Sequence, residues 1–392
     1  MNNIPYGRQH ITTEDIEAVI DCLKSDFLTQ GPKVREFEEL FADYIGAKYA
    51  VAVSNGTAAL HLCTLALNVN SSSVVITTPI TFSASANCVL YCGGRIEFCD
   101  IDPASGLLDI VFLEKMLSSN PKGYYTGIIA VDFAGAPCDL EKIKELAKQY
   151  NAWVIEDACH APGGYFTDSK RAVQKCGNGV YAELAVFSFH PVKHIATGEG
   201  GMITTNDKAL YDRLMVLRTH GIERDPARLN KNDGGWYHEM QSLGYNYRIP
   251  DMLCALGITQ LAKAEEGIKR RTEIAICYDE AFVGNKNIKL LKPLSTKELL
   301  QNGIRHAYHL YIIEVPDRKG LYDYLRSNNI FPQVHYIPVH TMPYYRQTGH
   351  KGTVMPAAEK YYTQCLSLPM YPSLTDAEQE YVIDKVLSFV NE

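Results

Sequence analysis

The chain has 392 residues, 46% of them hydrophobic and 21% charged, the balance of a soluble globular protein long enough for a large core and more than one domain. Thirty-eight Lys and Arg against 45 Asp and Glu leave a net charge of -7, with no basic run, which argues against an electrostatic grip on nucleic acid or anionic lipid. No apolar stretch reaches the about 18 residues a membrane helix needs, and the polar start Met1-Asn2-Asn3-Ile4-Pro5 predicts no signal peptide.

Ile16, Val19, Ile20 and Leu23 recur at helical spacing and predict a helix over 14–24. A second amphipathic helix is expected over 33–45. Six short apolar runs follow, each ended by turn or polar residues: Tyr49–Val53, Val74–Thr77, Arg95–Cys99, Thr126–Val131, Trp153–Ile155 and Ala185–Phe187. Helical stretches such as Thr57–Leu67 and Leu140–Tyr150 alternate with them. That alternation predicts an α/β fold with a largely parallel sheet covered on both faces. Ligands in such sheets collect at the C-terminal strand ends, where Ser54-Asn55-Gly56-Thr57, Asp157 and Ser188 fall. The segment Arg224–Gly235 is polar and reads as a mobile loop.

After about residue 255 the texture changes. A long helix is expected from Leu253 to about Val283, then strands at Ala307–Ile313 and Gln333–Tyr336. A closing helix is expected over about 375–390, with Thr375 and Glu378 as a capping box. The chain therefore divides into a large domain, residues 1–255 with an N-terminal arm, and a smaller α+β domain, residues 256–392. The eleven cysteines are scattered, with no C-x-x-C pair. Cys88, Cys92 and Cys99 read as small buried hydrophobes, a reducing cytoplasm is expected, and no metal site is.

Lys193 stands in Ser188-Phe189-His190-Pro191-Val192-Lys193, before the glycine-dense Gly198-Glu199-Gly200-Gly201. A hydroxyl five residues before a lysine suits an amine that reaches an aldehyde while a phosphate is held nearby, the requirement of pyridoxal phosphate (PLP). The other requirements have candidates. Gly56 and Thr57 open a helix after a strand, an arrangement that favours an anion. Asp157 or its neighbour Glu156 would pair with the pyridine nitrogen; successive strand residues face opposite ways, so only one of them serves. Phe82 would stack on the ring. His160 would sit near the other face or the ring oxygen, and Ser188 would bind the phosphate.

In order and spacing these motifs, with Leu28-Thr29-Gln30-Gly31-Pro32, Glu156-Asp157-Ala158-Cys159-His160-Ala161, Gly244-Tyr245-Asn246-Tyr247-Arg248 and Gln333–His340, resemble the DegT/DnrJ family of sugar-nucleotide aminotransferases along essentially the whole chain. The resemblance implies the aspartate aminotransferase-like (fold type I) architecture, PLP, and a homodimer with shared active sites. It selects Asp157 over Glu156 and makes Lys193 the covalent anchor and proton carrier. It implies that Asn246 reaches the cofactor phosphate of the neighbouring subunit. Tyr6, Asp26, Phe27, Leu28, Thr29, Gln333, Val334, His335 and Tyr336 would line the sugar-nucleotide side.

Thr78–Phe82, Trp236, Tyr308–Tyr311 and the Gln333–Tyr336 segment are similar to the branch of pseudaminic acid biosynthesis. That likeness implies amination at C4 of a UDP-linked 4-keto-6-deoxy-N-acetylhexosamine by glutamate. Ala196 replaces a threonine common after the lysine, and Cys159 replaces another small residue; neither removes a group the chemistry needs. Amination of a dTDP- or GDP-linked sugar, at C3 or C4, is the alternative. Sugar dehydration and a non-catalytic PLP-binding regulator rank lower, since the lysine is kept and no helix-turn-helix extension or basic patch is present.

Overall fold

The computed structural model describes residues 3–291 and 294–391. Numbered in chain order, seven strands build the central sheet: β1 (Tyr49–Val53), β2 (Val74–Thr77), β3 (Arg95–Phe98), β4 (Gly127–Val131), β5 (Trp153–Asp157), β6 (Leu184–Ser188) and β7 (Gly201–Thr205). Their order is β1-β7-β6-β5-β4-β2-β3. Neighbours from β6 to β3 are parallel, and β7 runs antiparallel to both β1 and β6. The fold is α/β with a mixed, mostly parallel sheet.

These strands are nearly continuous apolar runs because helices cover both faces. Alternate residues of one strand therefore enter different cores. Val51 and Val53 of β1 join Leu60 and Leu62 of the helix Gly56–Ala66 on one face. Ala50 and Ala52 meet Phe37 and Phe41 of the helix Pro32–Ile45 on the other, together with Phe187 and Met202.

A second packing centre forms around a three-stranded antiparallel sheet of Lys289–Leu290, Tyr311–Glu314 and Cys365–Leu368. Ile4 belongs to that core, because Ile4–Pro5 pairs in parallel with Ile330–Phe331. The closing helix Asp376–Asn391 carries the expected capping box: Glu378 N–H donates to Thr375 Oγ1 at 3.2 Å, and Thr375 N–H to Glu378 Oε2 at 3.0 Å.

Four local expectations are corrected. β7 begins at Gly201, where the sequence suggested only a turn. The long helix is two, Asp251–Ala262 and Ala264–Phe282, broken at Lys263. Residue 255 lies inside the first of them. Only Tyr311–Glu314 of the expected strand at 307–313 is a strand, because Tyr308 takes a left-handed φ of 50°. Gln333–Tyr336 makes a single bridge, Gln333 to Ser367, because His335 engages the Ser367 side chain rather than a backbone ladder. Among the described residues no helix is long and apolar enough to cross a membrane.

Candidate active site

A cavity of about 910 Å³ opens at the C-terminal ends of β1, β2, β5 and β6. Its wall includes Tyr6, Gly56, Thr57, Phe82, Asp157, His160, Ser188, Lys193 and all of Gln333–Tyr336. Five residues expected at the site are not in this wall. Asp26, Phe27, Leu28 and Thr29 are exposed on a turn that pairs with Pro250, and Asn246 is exposed beside Thr219.

Lys193 follows β6 through a tight turn in which its N–H donates to the His190 carbonyl at 2.8 Å. The side chain is half-buried. Burial pushes its ammonium down to about 8, against the pull of Cys159 and Asp157. Nζ lies 3.5 Å from Nε2 of His309.

The two carboxylates at the end of β5 part as strand geometry demands. Asp157 lines the cavity, where Oδ2 accepts from the Ser85 hydroxyl at 2.7 Å and Oδ1 from the Cys159 N–H at 3.2 Å. Glu156 turns to the opposite face, where Oε1 accepts from the Gly177 N–H at 2.7 Å. There it lies close to Asp132 and Cys176, their polar atoms all within 4.8 Å of one another.

The helix Gly56–Ala66 points its start into the cavity. Asn55 caps it by accepting from the Ala58 N–H at 2.8 Å, leaving the first two N–H groups outside intrahelical pairing. Close packing fixes this end. A Cβ on Gly201, the first residue of β7, would come within 2.6 Å of the Asn55 backbone, and one on Gly56 within 3.1 Å of Ser188 Cβ. The result is a helix end beside a hydroxyl, a favourable setting for a phosphate. Phe82 also lines the cavity and is 60% exposed, so its ring is free to stack on a flat ligand.

His160 has its tautomer dictated by a backbone group. Nδ1 accepts from the Ala134 N–H at 3.2 Å, so the ring proton is on Nε2, which donates to the Tyr336 hydroxyl oxygen 3.2 Å away. The phenolic proton of Tyr336 is then directed away from His160. Burial, reinforced by the Lys193 charge, holds His160 and His309 well below the usual histidine range and takes His335 down to about 3. The imidazoles here are neutral.

The model of one family, DegT/DnrJ/EryC1/StrS aminotransferase, matches residues 9–387. The chain belongs to that family. It is 36% identical to the UDP-4-amino-4,6-dideoxy-N-acetyl-beta-L-altrosamine transaminase of Campylobacter jejuni, over 99% of this chain and 97% of that one. It is 32% identical to the GDP-perosamine synthase of Escherichia coli O157:H7 over the whole of both. Among solved structures it is similar to Helicobacter pylori PseC, an aminotransferase involved in the biosynthesis of pseudoaminic acid, with TM-score 0.88, 30% identity and full coverage of both chains. The PLP form of a putative sugar aminotransferase, Spr1654 of Streptococcus pneumoniae, gives TM-score 0.88 at 26% identity, covering 99% of each chain.

This DegT/DnrJ-family protein is a PLP-dependent sugar aminotransferase, and its cavity fits the cofactor chemically. An amine of lowered basicity, a buried carboxylate, an exposed aromatic face and a helix end with a hydroxyl line one space. Ser85, Tyr247 and His309 also line it without a role expected from the sequence, as does Cys159, expected only as a small-residue replacement. Ser85 sits one turn beyond Phe82, a spacing that flags it; His309 sits in a strand-like run marked only by the Tyr308–Tyr311 resemblance.

Proposed function

We propose that this protein moves the amino group of L-glutamate to C4 of a UDP-linked 4-keto-6-deoxy-N-acetylhexosamine. The observation that carries this reading is whole-length likeness to the Campylobacter transaminase in a chain whose cavity gathers Lys193, Asp157 and the Gln333–Tyr336 segment. When bound, PLP supplies an electron-withdrawing ring that makes an amino group and its neighbouring carbon proton mobile.

The protein's residues do the rest. Lys193 anchors the cofactor and, once released, moves the proton between carbon atoms, a task suited to an amine of lowered basicity. Asp157, held by Ser85, keeps the ring nitrogen protonated. Phe82 stacks, His160 sits by the ring, and Gly56, Thr57 and Ser188 bind the phosphate. Tyr6 and Gln333–Tyr336 contact the sugar nucleotide, with Tyr336 offering its hydroxyl proton.

The site is shared across a homodimer, in which Asn246 serves the partner's phosphate and Asp26, Phe27, Leu28 and Thr29 the partner's sugar side. Two features support this. Asn246 and that turn are exposed and outside their own cavity. Ile16, Ile20, Leu23, Phe27 and Leu28 are each between 41% and 54% exposed, an apolar run suited to a subunit contact. A reducing cytoplasm suits the eleven free thiols.

A GDP-linked keto-sugar is the second reading, favoured by the GDP-perosamine synthase relative. A panel of UDP-, dTDP- and GDP-linked 3- and 4-keto-sugars with glutamate separates the two. The first reading expects 2-oxoglutarate release matched to a UDP-4-amino product, identified by mass and stereochemistry. Turnover confined to GDP sugars replaces it with the second. Absence of 2-oxoglutarate with every sugar removes both.

A further inference from the structure

His309 is mounted on an unusually well-held stretch of chain. It belongs to the segment 307–310, just before the strand Tyr311–Glu314. The Ala307 N–H donates to the Gly135 carbonyl at 2.8 Å and the Leu310 N–H to the Ala134 carbonyl at 3.1 Å. The Tyr308 carbonyl accepts from Nη1 of buried Arg271 at 3.0 Å, and the Ala307 carbonyl from Nε2 of His194 at 2.7 Å. Gly135, at φ 102°, permits the contact, since a Cβ there would lie 2.9 Å from Tyr308 N and 3.1 Å from His309 N.

The ring is buried against two other imidazoles. His309 is 4% exposed, with its centroid 4.3 Å from His160 and 5.9 Å from His194. The groups facing it are Lys193, His160, His194 and Arg271, and burial, reinforced by the Lys193 charge, keeps it neutral. A neutral imidazole has one N–H and one lone pair. Acceptance from the Lys193 amine, whose Nζ is 3.5 Å from Nε2, requires the lone pair on Nε2 and the proton on Nδ1, which is buried without a hydrogen-bond partner among the described residues. That distance is at the long end of hydrogen-bond reach, as is common before a ligand closes a site.

We propose that His309 is the positioning residue for Lys193: it accepts a hydrogen bond from the ε-amine and holds that amine turned into the cavity. The inference rests on the reading of Lys193 as the cofactor's covalent anchor. In the anchoring reaction the Nζ lone pair adds to the aldehyde carbon. Both amine protons leave with the aldehyde oxygen as water, and a carbon–nitrogen double bond remains. The His309 contact therefore exists only while the amine is free, which is when the lysine must be held in place, first to capture the aldehyde and later to carry a proton. His309 carries no proton itself.

The test uses apoprotein of the full chain. PLP capture is followed by absorbance, and affinity for pyridoxamine phosphate, which cannot link to a lysine, is measured alongside. His309→Leu keeps bulk but removes the acceptor; His309→Gln restores an acceptor that cannot shuttle a proton. Because misplacement of a reacting group costs up to about 10²-fold, His309→Leu is expected to capture PLP at least about tenfold more slowly and to lose kcat in proportion, with KM for the sugar within about threefold. His309→Gln should return within about threefold of the wild-type capture rate, and pyridoxamine phosphate affinity should stay within about twofold throughout.

Wild-type capture in His309→Leu overturns the proposal. So does equal slowing in His309→Gln, or a pyridoxamine phosphate affinity that falls as far as the capture rate. Should His309→Leu fail to fold, His309→Ala replaces it under the same criteria. Borohydride reduction and peptide mapping separate the two layers. A pyridoxyl group on another lysine removes the anchor reading, whereas one on Lys193 with unchanged capture in the variant removes only the role of His309.

Discussion

The Ser85 hydroxyl donates to Oδ2 of Asp157 at 2.7 Å, across 72 positions of sequence. Its proton is thereby committed, so Thr81, whose Oγ1 is 2.8 Å from Ser85 Oγ, is the donor in the next bond. The chain Thr81–Ser85–Asp157 ties the carboxylate to the segment that carries Phe82. The carboxylate and the aromatic face proposed for the cofactor thus share one rigid support.

Removing this hydrogen bond should loosen the cofactor. A bond to a charged acceptor contributes about 1.5–3 kcal/mol, so Ser85→Ala is expected to weaken PLP binding by about tenfold or more while leaving the fold intact. Asp157→Asn should lose more in kcat/KM than Ser85→Ala, because it removes the charge and not merely its support. Absorbance titration and steady-state kinetics of both variants check the ranking. Equal PLP affinity in Ser85→Ala and wild type would remove the role given to Ser85.

The lowered basicity of Lys193 predicts a pH signature in apoprotein. Acylation of Lys193, read by peptide mass, should rise with a midpoint near 8, whereas exposed lysines rise near their ordinary value of about 10.4. The stability sign follows. Between those two values the unfolded chain binds more protons, so stability grows as pH rises through that window. Below about 8 the full cost of the buried charge is present. Lys193→Met apoprotein is therefore expected to unfold at higher temperature than wild type at pH 7, with the difference shrinking as pH rises above 8.

Beneath the sheet, Glu156 and Asp132 form a buried acidic pair. Burial and mutual repulsion hold Glu156 well above the usual carboxylate range, and burial takes Asp132 up to about 6. A raised folded value means the native state binds more protons, so this pair loses stability as pH rises from about 4 through the raised values. Glu156→Gln keeps an oxygen for the Gly177 N–H and cannot ionise. It should gain on wild type as pH rises from 4.5 to 7, because only the wild-type side chain loses stability by approaching ionisation there. Denaturant melts at the two pH values measure this, and a constant difference would contradict the pairing.

Active sites shared between subunits predict complementation. Lys193→Ala and Asn246→Ala homodimers, each inactive or nearly so, should recover up to about a quarter of wild-type activity when mixed and exchanged, because a hybrid holds one site with both residues intact. No recovery despite subunit exchange shown by native mass spectrometry would argue that Asn246 serves its own chain.

Much of this site could be read from the chain, and the exceptions have physical reasons. Tyr49–Val53 and Val74–Thr77 occur with the expected bounds, because a buried strand is an uninterrupted apolar run between turn residues. Lys193, Ser188, Gly56 and Asp157 follow such strands, so a parallel sheet carries them to one rim. β7 has no strand signal of its own because Gly198–Gly201 masks its start and its direction depends on partners about 150 residues away in β1. Ala307–Leu310 and Gln333–Tyr336 have strand-like composition, yet beyond the Gln333–Ser367 bridge they stay out of the ladders, and they bring His309 and Gln333–Tyr336 to the cavity.

The sequence by itself determined the layered α/β fold, the family and the lysine, since apolar period, turn residues and motif order are local properties of the chain. It narrowed the carboxylate to Glu156 or Asp157, and the resemblance chose between them. Only the tertiary structure shows that β5 turns Asp157 to Ser85 and Glu156 to Asp132, that a backbone N–H sets the tautomer of His160, and that His309 meets Lys193 across 116 residues. Those outcomes depend on which face of a strand a long-range partner covers, and no local pattern of residues encodes that choice.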